Sequence, residues 1–397
     1  MGGVELNTRV HAEFITAVHT RKPVTGLSHG FYRYPARFSP LFPRAAIEAF
    51  TKPGDLVFDP FMGGGTTIVE ASAAGRMALG TDINALAVFV TQAKTTLLSE
   101  AELLEVRVWG CALLPELNLR LPSVRATDWA ERGYHRNICG KRTWPIRKTL
   151  ELAIARLGDL GTARQRRFAR CSLLRTAQWA LDCRKQVPSA VEFRQKFLVC
   201  LSEMDNGARA YANAIRQCGR AQQKPLCLLR SVVGVECDPV VARQRPPKLV
   251  LTSPPYPGVH VLYHRWQIRG RRETPAPYWI ANGKDGSGTS FYTFGDRHEP
   301  GLLTYFEQLR ASFKSIARII NRDTMVVQMV AFPDPTWQLP QYLDVMQDAG
   351  FAETIIPAFA NSDDGRMWRC VPNRKWYADQ KGAIGSSKEV VLFHRLA

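Results

Sequence analysis

Apolar and polar positions alternate along this chain in two ways. Short apolar runs that end at polar or glycine-rich turns predict buried strands over residues 54–59, 77–84, 248–252, 324–330 and 388–394. Apolar positions at helical spacing predict helices over residues 68–74, 303–320 and 340–349, and a further apolar segment covers residues 351–356. Alternating strands and helices of this kind predict an α/β doubly wound sheet that binds its ligand at the carboxyl ends of the strands.

The middle of the chain, residues 120–224, shows helical spacing without intervening strands. Predicted helices cover residues 149–157, 162–183, 189–204 and 208–218, and the third begins with the capping-box pair Ser189 and Glu192. This region has 22 Lys and Arg residues against 8 Asp and Glu residues, so it carries most of the chain's net charge of +18. The sequence therefore predicts a basic, mainly helical insertion between two halves of an α/β domain.

The second predicted helix of the insertion is rich in arginine. Its arginines are Arg164, Arg166, Arg167, Arg170 and Arg175, and the apolar residues available to face a core are Phe168, Leu174, Trp179 and Leu181. A single arginine of this kind is more often a solvated surface residue. The cluster as a whole fits the binding of phosphate groups, because electrostatic contacts with the backbone supply much of the affinity for nucleic acid.

The composition narrows the class of protein. A sequence pI of about 9.8 indicates nucleic acid as a partner, although membranes and acidic proteins also bind basic chains. No apolar run approaches the roughly 18 residues of a membrane span, and the first residues lack the layout of a signal peptide, so we expect a cytoplasmic protein without membrane contact. The nine cysteines include no C-x-x-C pair, so neither a redox motif nor a metal site is expected.

The apolar run 248–252 ends in the segment Ser253-Pro254-Pro255-Tyr256-Pro257. Adjacent prolines fix two φ angles and donate no N–H, so the carbonyl groups of Ser253 and Pro254 remain available to accept hydrogen bonds from a guest. A small hydroxyl, these carbonyls and one aromatic ring at a strand end suit a flat ring that bears an amino group. Taken alone, the same residues also fit an ordinary turn after a strand.

A second motif follows the first predicted strand. Residues 59–67 read Asp-Pro-Phe-Met-Gly-Gly-Gly-Thr-Thr, and a helix comes next. Glycines let the backbone approach a ligand closely, and the amides of the turn and helix start favour a polar or anionic group. Asp82 ends the following strand about twenty residues later, where it is placed to accept hydrogen bonds from ribose hydroxyls. A dinucleotide-binding domain is the alternative, but the turn lacks G-x-G-x-x-G spacing.

Together the two motifs resemble those of the DNA amino-methyltransferases, which modify exocyclic amines of DNA bases. In that family the glycine-rich loop holds S-adenosylmethionine, and Ser-Pro-Pro-Tyr is the catalytic loop. The resemblance implies that the catalytic residues are Ser253, Pro254, Pro255 and Tyr256. It implies that the cofactor-binding residues are Asp59, Phe61, Gly63, Gly65, Thr66, Asp82 and Ile83, together with Phe38 and Ser39 from the segment 34–40. Within this set, Asp82 would bind the ribose and Ile83 would pack on the adenine.

The resemblance covers roughly residues 30–98 and 245–397 and implies a Rossmann-like class I methyltransferase sheet whose last strands form an antiparallel edge. The motif order places target recognition between the cofactor and catalytic motifs. The expected units are an amino-terminal extension (1–29), a cofactor-binding half (30–99), a basic helical insertion that selects the DNA sequence (100–240) and a catalytic half (241–397). Residues 233–238 imitate a strand with a ribose-binding acid but follow no glycine loop, so the contact with the adenine amino group stays unassigned.

The chemistry that the resemblance implies is direct methyl transfer from S-adenosylmethionine to an exocyclic base nitrogen. Ser253 and the Pro254 carbonyl would accept the amino hydrogens and draw the nitrogen out of conjugation, while Tyr256 would stack on the base. The target base has to be flipped out of the duplex to reach such a site. In this family, Ser at the first position of the catalytic loop usually accompanies methylation of cytosine N4. Asp or Asn at that position usually accompanies methylation of adenine N6. The expected product is therefore N4-methylcytosine in double-stranded DNA.

Several alternatives stay open. The segment 258–297 combines aromatic residues, arginines and glycines, which fits either a mobile loop that contacts DNA or an ordinary surface loop. The rival functions are an adenine-N6 methyltransferase, a non-catalytic DNA-binding subunit that keeps the fold, and a methyltransferase of RNA or protein amines. A role in restriction-modification would bring a cognate restriction endonuclease as a partner, and no oligomeric state is predicted.

Overall fold

The computed structural model describes residues 8–20, 22, 24–35, 39–121, 128–219, 224–257, 265–270, 272–286, 294–295, 299–371 and 387–397. The strands in these ranges are β1 (Leu56–Asp59), β2 (Met77–Asp82), β3 (Leu226–Leu229), β4 (Leu249–Thr252), β5 (Trp266–Ile268), β6 (Arg272–Thr274), β7 (Met325–Ala331), β8 (Phe351–Glu353), β9 (Met367–Val371) and β10 (Ser387–Leu396). The helices are α1 (Thr8–His19), α2 (Leu41–Phe50), α3 (Thr66–Ala73), α4 (Ala85–Lys94), α5 (Glu100–Glu116), α6 (Asp128–Glu131), α7 (Trp144–Ala155), α8 (Ala163–Leu181), α9 (Ala190–Gln217), α10 (Pro239–Ala242), α11 (Ala276–Ala281), α12 (Glu299–Ala317) and α13 (Pro335–Asp348).

Eight of these strands form one sheet in the order β3-β2-β1-β4-β7-β10-β8, with β9 also paired to β10. The five strands from β3 to β7 in this order are parallel, whereas β10 runs antiparallel to β7, β8 and β9. The order reverses at β1, because β2 lies on one side of it and β4 on the other. The structure thus confirms the predicted doubly wound sheet with antiparallel pairing at one edge, and its switch point lies between β1 and β4.

Helices bury both faces of this sheet, because alternate residues of each strand point to opposite sides. In β7, Met325, Val327 and Met329 belong to the apolar cluster that includes residues of α1, α2 and α3. Val326 and Val330 of the same strand belong to the cluster that includes residues of α12 and α13. All seven residues of β7 are buried, as expected of a strand in the middle of a mostly parallel sheet.

The helices between β2 and β3 form an apolar cluster of their own, which α11 joins from the second half of the chain. The predicted core residues Phe168, Leu174 and Leu181 are buried in it, and Trp179 packs against it. Helices α5, α8 and α9 each begin with a complete capping box, and that of α9 is the predicted pair Ser189 and Glu192. The prediction of a mainly helical middle region is correct for these elements.

Two features of this region differ from the sequence prediction. The helices expected over 189–204 and 208–218 are one continuous helix, α9, which passes through Gly207. A Cβ atom at Gly207 would lie 2.6 Å from the carbonyl oxygen of Leu27, so this glycine permits a close contact and does not end a helix. The unpredicted strand β3 pairs in parallel with β2. It lies inside the range 100–240, and the boundaries of the four expected units stay a prediction.

Candidate active site

Three neighbouring strands bring the two sequence motifs to one edge of the sheet. Strand β1 pairs in parallel with β2 on one side and with β4 on the other, so their carboxyl ends lie side by side. Those ends carry Asp82, Asp59 and Thr252, and Ser253 follows Thr252 directly. The fold therefore places the glycine-rich loop and the Ser-Pro-Pro-Tyr loop next to each other, 190 positions apart in the sequence, at the edge where this fold class binds its ligands.

The glycine-rich loop is tight, and two of its glycines have no space for a side chain. A Cβ atom at Gly64 would lie 2.7 Å from Cβ of Tyr34. At Gly65, where φ is +74°, a Cβ atom would lie 2.4 Å from Oγ1 of Thr91. Gly65 also donates a backbone hydrogen bond to the carbonyl of Met62 (2.7 Å) and directly precedes α3, so these glycines allow the turn to close before the helix begins.

Tyr34 and Lys94 support this loop, and sequence reasoning missed both. The Tyr34 ring lies against Gly63 and Gly64, and its hydroxyl accepts a hydrogen bond from the Asn84 side chain (3.2 Å). The buried Lys94 ammonium donates to the Gly64 carbonyl (2.6 Å). Lysine on the buried face of the otherwise apolar helix α4 was a signal for such a role, because a buried ammonium needs an acceptor.

Asp82 lies beside the glycine-rich loop. Its two carboxylate oxygens accept hydrogen bonds from the backbone N–H groups of Gly63 (2.9 Å) and Asn84 (2.8 Å). Burial raises the pKa of Asp82 to about 6, and the two backbone hydrogen bonds act in the opposite direction. Each oxygen retains a lone pair for a further donor, which fits the hydroxyl groups of a ribose.

Apolar side chains flank Asp82 at the same edge. Ile83 is 50% exposed, and Leu229, which lies opposite Asp82 in the β2–β3 pairing, is 57% exposed. An exposed, large apolar side chain beside a carboxylate that can still accept hydrogen bonds fits an aromatic ring attached to a sugar. The residues around Asp82 therefore fit the nucleoside portion of S-adenosylmethionine, and Leu229 is a second apolar residue that the sequence did not indicate.

Asp59 joins the two loops. It is 2% exposed and accepts hydrogen bonds from Thr252 Oγ1 (2.8 Å) and from the Phe61 N–H (3.2 Å). Burial raises the pKa of Asp59 to about 6, whereas the hydrogen bond from Thr252 lowers it. The carboxylate of Asp59 thus connects the glycine-rich loop to the residue before Ser253.

The Ser253 and Tyr256 hydroxyls of the Ser-Pro-Pro-Tyr loop make three polar contacts, but together they have only two protons to donate. Ser253 Oγ lies 2.9 Å from the Met329 carbonyl oxygen and 3.0 Å from the Tyr256 hydroxyl, which lies 3.0 Å from Glu389 Oε1. Tyr256 donates its one proton to Glu389, because a carboxylate only accepts, and Ser253 shares its one proton between the Met329 carbonyl and the Tyr256 hydroxyl. Ser253 has no second proton to donate, so its Oγ can only accept a hydrogen bond from a further partner.

Glu389 is itself held by an ion pair. It is 3% exposed, and its other carboxylate oxygen accepts two hydrogen bonds from the Arg369 guanidinium (2.7 and 2.5 Å). Arg369 also donates to the Val18 carbonyl (3.1 Å). A chain of polar contacts thus runs from α1 through β9 and β10 to Tyr256 and Ser253, and the sequence did not indicate it.

The two proline carbonyls of the loop differ in their partners. The hydroxyl of the buried Tyr305 donates to the Pro255 carbonyl (3.0 Å). Within the described ranges no donor contacts the Pro254 carbonyl. The Phe61 ring lies nearby in the same apolar cluster as Tyr305 and Tyr256, and it contacts Phe294 edge-on (5.5 Å between ring centroids). Pro254 is itself buried, and among the described residues its carbonyl has no donor.

The remaining predicted residues are placed as follows. Thr66 is buried and begins α3 directly after Gly65. The Ser39 carbonyl accepts a hydrogen bond from the Phe42 N–H (3.1 Å) before α2, and no described contact joins Ser39 to the glycine-rich loop. Phe38 lies outside the described residues, as do residues 258–264, 271, 287–293 and 296–297 of the segment 258–297.

The predicted arginines of α8 have partners within the protein. Arg164 pairs with Glu102 and Arg175 pairs with Glu203. Arg170 donates to the Ile280 carbonyl (2.9 Å), and burial lowers its pKa to about 10. Arg166 and Arg167 also donate within the protein, to the Leu160 carbonyl (2.7 Å) and the Thr96 hydroxyl (3.4 Å). This helix therefore uses its arginines for internal contacts.

Among the described residues, no helix is both long and apolar enough to cross a membrane. The same part of the chain contains no group of three or more His, Cys, Asp or Glu side chains that is arranged to hold a metal ion.

Comparison with known proteins finds a matching family model and relatives that match part of the chain. A family model described as DNA methylase (N6_N4_Mtase) matches residues 11–92. The chain is similar to the Type II methyltransferase M.MvaI of Kocuria varians, with 40% identity over 80 residues (19% of this chain, 18% of the relative). It is also similar to the Type II methyltransferase M.MjaII of Methanocaldococcus jannaschii, with 32% identity over 66 residues (17% and 12%). The matched stretches span less than a fifth of each relative.

The family match covers the glycine-rich loop and Asp82 and confirms the predicted resemblance to the DNA amino-methyltransferases. S-adenosylmethionine is the cofactor that this match implies. Similar solved structures include TrmN from Thermus thermophilus (TM-score 0.31, 10% identity, 91% of this chain and 49% of that chain). Another is the rRNA methyltransferase aviRa from Streptomyces viridochromogenes (TM-score 0.32, 11% identity, 95% and 89%). These scores are low, and the strand order of the sheet is what classifies the fold.

Proposed function

We propose that this protein is a DNA methyltransferase that transfers a methyl group from S-adenosylmethionine to the exocyclic N4 of a cytosine flipped out of duplex DNA. The observation that carries the proposal is the contact between the two motifs: Thr252, the residue before Ser253, donates to Asp59 of the glycine-rich loop (2.8 Å). A cofactor loop and an amine-accepting loop on one sheet edge support transfer between their ligands. The match of the cofactor loop to DNA methylases supports DNA as the substrate.

In this proposal Ser253 and Pro254 activate the amine. The hydroxyl proton of Ser253 is directed to the Met329 carbonyl and the Tyr256 hydroxyl, so Ser253 Oγ would accept one amino hydrogen and the Pro254 carbonyl the other. Two acceptors draw the nitrogen toward tetrahedral geometry and so free its lone pair for attack. The sulfonium group of the cofactor would supply the methyl group when it is bound and leave as a thioether, and the methylated nitrogen would lose its surplus proton to water. The remaining work of the protein is to position the two reactants.

Tyr256 and Glu389 have separate roles in the proposed site. Tyr256 would stack on the flipped base, and Glu389 is a positioning residue because it holds the Tyr256 hydroxyl and is itself fixed by Arg369. A ring with a fixed hydroxyl loses less conformational entropy when a base stacks on it. Flipping a base costs a few kcal/mol, so a stacking partner that is already ordered favours the flipped state.

The cofactor would occupy the edge formed by β1, β2 and β3. Asp82 would accept hydrogen bonds from the ribose, Ile83 and Leu229 would hold the adenine, and the glycine-rich loop from Asp59 to Thr66 would hold the methionine portion. Phe38 and Ser39 complete the proposed set from the segment before α2. Calorimetry with S-adenosylmethionine tests this part without any need for activity: Asp82→Ala should weaken binding at least tenfold, and wild-type protein without measurable binding would favour a non-catalytic DNA-binding subunit.

The choice of cytosine N4 rests on Ser253. Adenine N6 is the alternative, since the matched family model covers both N6 and N4 enzymes. The decisive experiment is mass spectrometry of nucleosides from duplex DNA incubated with the protein and labelled cofactor. Label in N4-methylcytosine is expected. Label only in N6-methyladenine would overturn the base assignment while leaving DNA methylation in place.

We also propose a role in restriction-modification or a related host defence in the cytoplasm, with a cognate restriction endonuclease as a partner. The support is the similarity to two Type II methyltransferases. Residues 100–240 are proposed to select the DNA sequence. Mapping of modified bases in DNA from cells that express the protein should give one short recognition site, and exchange of this region should change that site while cofactor binding persists.

A further inference from the structure

Five exposed cations lie on two segments that differ from the arginine-rich helix α8. Within the described part of the chain none of the five forms an ion pair, in contrast to Arg164 and Arg175 of α8. They are Arg136, Lys141 and Arg142 from the loop 132–143, and Arg269 and Arg272 from the β5–β6 hairpin. We call this set the basic face. Exposed cations without internal partners are the ones available to a polyanion.

Direct contacts join the two segments. Asn137 Nδ2 of the loop donates to the Glu273 carbonyl of the hairpin (2.7 Å). The Tyr134 hydroxyl accepts a hydrogen bond from the Asp285 N–H (2.9 Å), and the buried His135 ring contacts Trp279 edge-on at 4.5 Å. The loop is thus held to the segment that follows the Ser-Pro-Pro-Tyr loop, and the joined residues Asn137 and Glu273 are each next in sequence to an exposed arginine, Arg136 and Arg272.

This surface adjoins the edge of the sheet that carries the active site. Trp266 of the hairpin donates to the Tyr32 hydroxyl (3.0 Å), two residues before Tyr34, whose side chain lies against the glycine-rich loop. At the other end of the segment, a Cβ atom at Gly283 would lie 3.1 Å from Cβ of Ala85. Ala85 begins α4 three residues after Asp82, at the carboxyl end of β2.

We propose that the basic face binds the phosphate backbone of duplex DNA and guides the hairpin into a groove beside the flipped base. The proposal rests on the proposed function. Arg269 and Gly270 both have positive φ angles (46° and 114°) and lie between the paired residues Ile268 and Arg272, at the end of the hairpin. The major groove of B-form DNA admits a two-stranded ribbon, whereas that of A-form RNA is too narrow.

The test compares two matched double variants. Arg269→Gln with Arg272→Gln removes two charges from the basic face. Lys52→Gln with Arg322→Gln removes two exposed charges near the starts of β1 and β7, at the opposite edge of the sheet. Binding to a short DNA duplex is measured by fluorescence anisotropy at several salt concentrations, without cofactor. The hairpin variant should bind about tenfold more weakly or worse and lower the slope of log K against log salt by about 2, since each phosphate contact contributes about 0.9.

The control variant should bind within about twofold of wild type, and both should bind S-adenosylmethionine as wild type does. A triple variant with Arg136→Gln, Lys141→Gln and Arg142→Gln should lose affinity in the same way. Equal affinity of the hairpin and control variants, or tighter binding of an RNA duplex than of DNA, would overturn the proposal. A failure of the proposed function can be distinguished from a failure of this proposal. In that case the wild-type protein would bind DNA through the basic face, but incubation with labelled cofactor would leave no labelled base in the DNA.

Discussion

Replacement of Glu389 by Gln removes one charge from a buried pair beside the proposed base site. Glu389 is 3% exposed, and its partner Arg369 keeps 15% of its side-chain surface. Loss of one member of a buried ion pair typically costs about 3–5 kcal/mol, because the other charge stays buried without compensation. Two features reduce this cost: Gln retains one oxygen as an acceptor, and Arg369 is partly exposed to water. We therefore expect the free energy of unfolding to fall by about 2–3 kcal/mol, less than the typical cost.

Urea denaturation of the wild type and the variant measures this change. The matched control is Asp348→Asn, which removes one charge from the exposed pair Arg310–Asp348 (37% and 58% of side-chain surface). Exposed pairs contribute about 0–1 kcal/mol, so the control should lie close to the wild type. Equal losses of unfolding free energy for Glu389→Gln and Asp348→Asn would refute the claim that burial makes the Glu389–Arg369 pair more stabilising than an exposed pair.

The same variant tests the role of Glu389 as a positioning residue. The Tyr256 hydroxyl donates to Glu389, and an amide at this place can turn its NH₂ group toward that hydroxyl and release it. We expect kcat to fall about tenfold, which corresponds to 1.4 kcal/mol of transition-state stabilisation, while the Kd for S-adenosylmethionine stays unchanged. The kinetics are compared at a temperature where both proteins are folded. An unchanged kcat in a destabilised variant would assign Glu389 to stability alone.

Three further predictions concern the two loops. Gly64→Ala should weaken binding of S-adenosylmethionine at least tenfold in calorimetry, because the new Cβ would lie 2.7 Å from Tyr34, whereas Gly158→Ala, with no atom within 4 Å, should bind as wild type does. Burial raises the pKa of Asp82 to about 6, so the affinity for the cofactor should be highest above about pH 7. Below pH 6 it should fall up to tenfold per pH unit, because the Asp82 carboxylate is protonated and loses acceptor capacity. Equal affinity at pH 5 and pH 8 would contradict a ribose contact. Ser253→Ala should lower kcat by about 10²–10³ with an unchanged cofactor Kd, the typical loss of one preorganised transition-state hydrogen bond, and a wild-type kcat would remove Ser253 from the mechanism.

Local patterns predicted the elements that near neighbours determine. The capping box at Ser189 starts α9 as predicted, and the strand, glycine turn and helix from Leu56 to Ala73 follow the order read from the sequence. The prediction failed where a distant segment decided the outcome. The sequence predicted two helices, 189–204 and 208–218, but α9 continues through Gly207, which accommodates the Leu27 carbonyl. Strand β3 has four residues and lies at the edge of the sheet, so its assignment depends on pairing with β2.

The sequence by itself determined the doubly wound fold and the two motifs, because short runs of neighbouring residues encode strand burial, tight turns and helix starts. Only the tertiary structure decided which charged groups meet. It pairs the arginines of α8 with internal partners, whereas the cations of the basic face form no ion pair with any described residue. It also brings Glu389 to Tyr256, 133 positions away. Such pairings depend on the order of strands in the sheet, which no local pattern of residues contains.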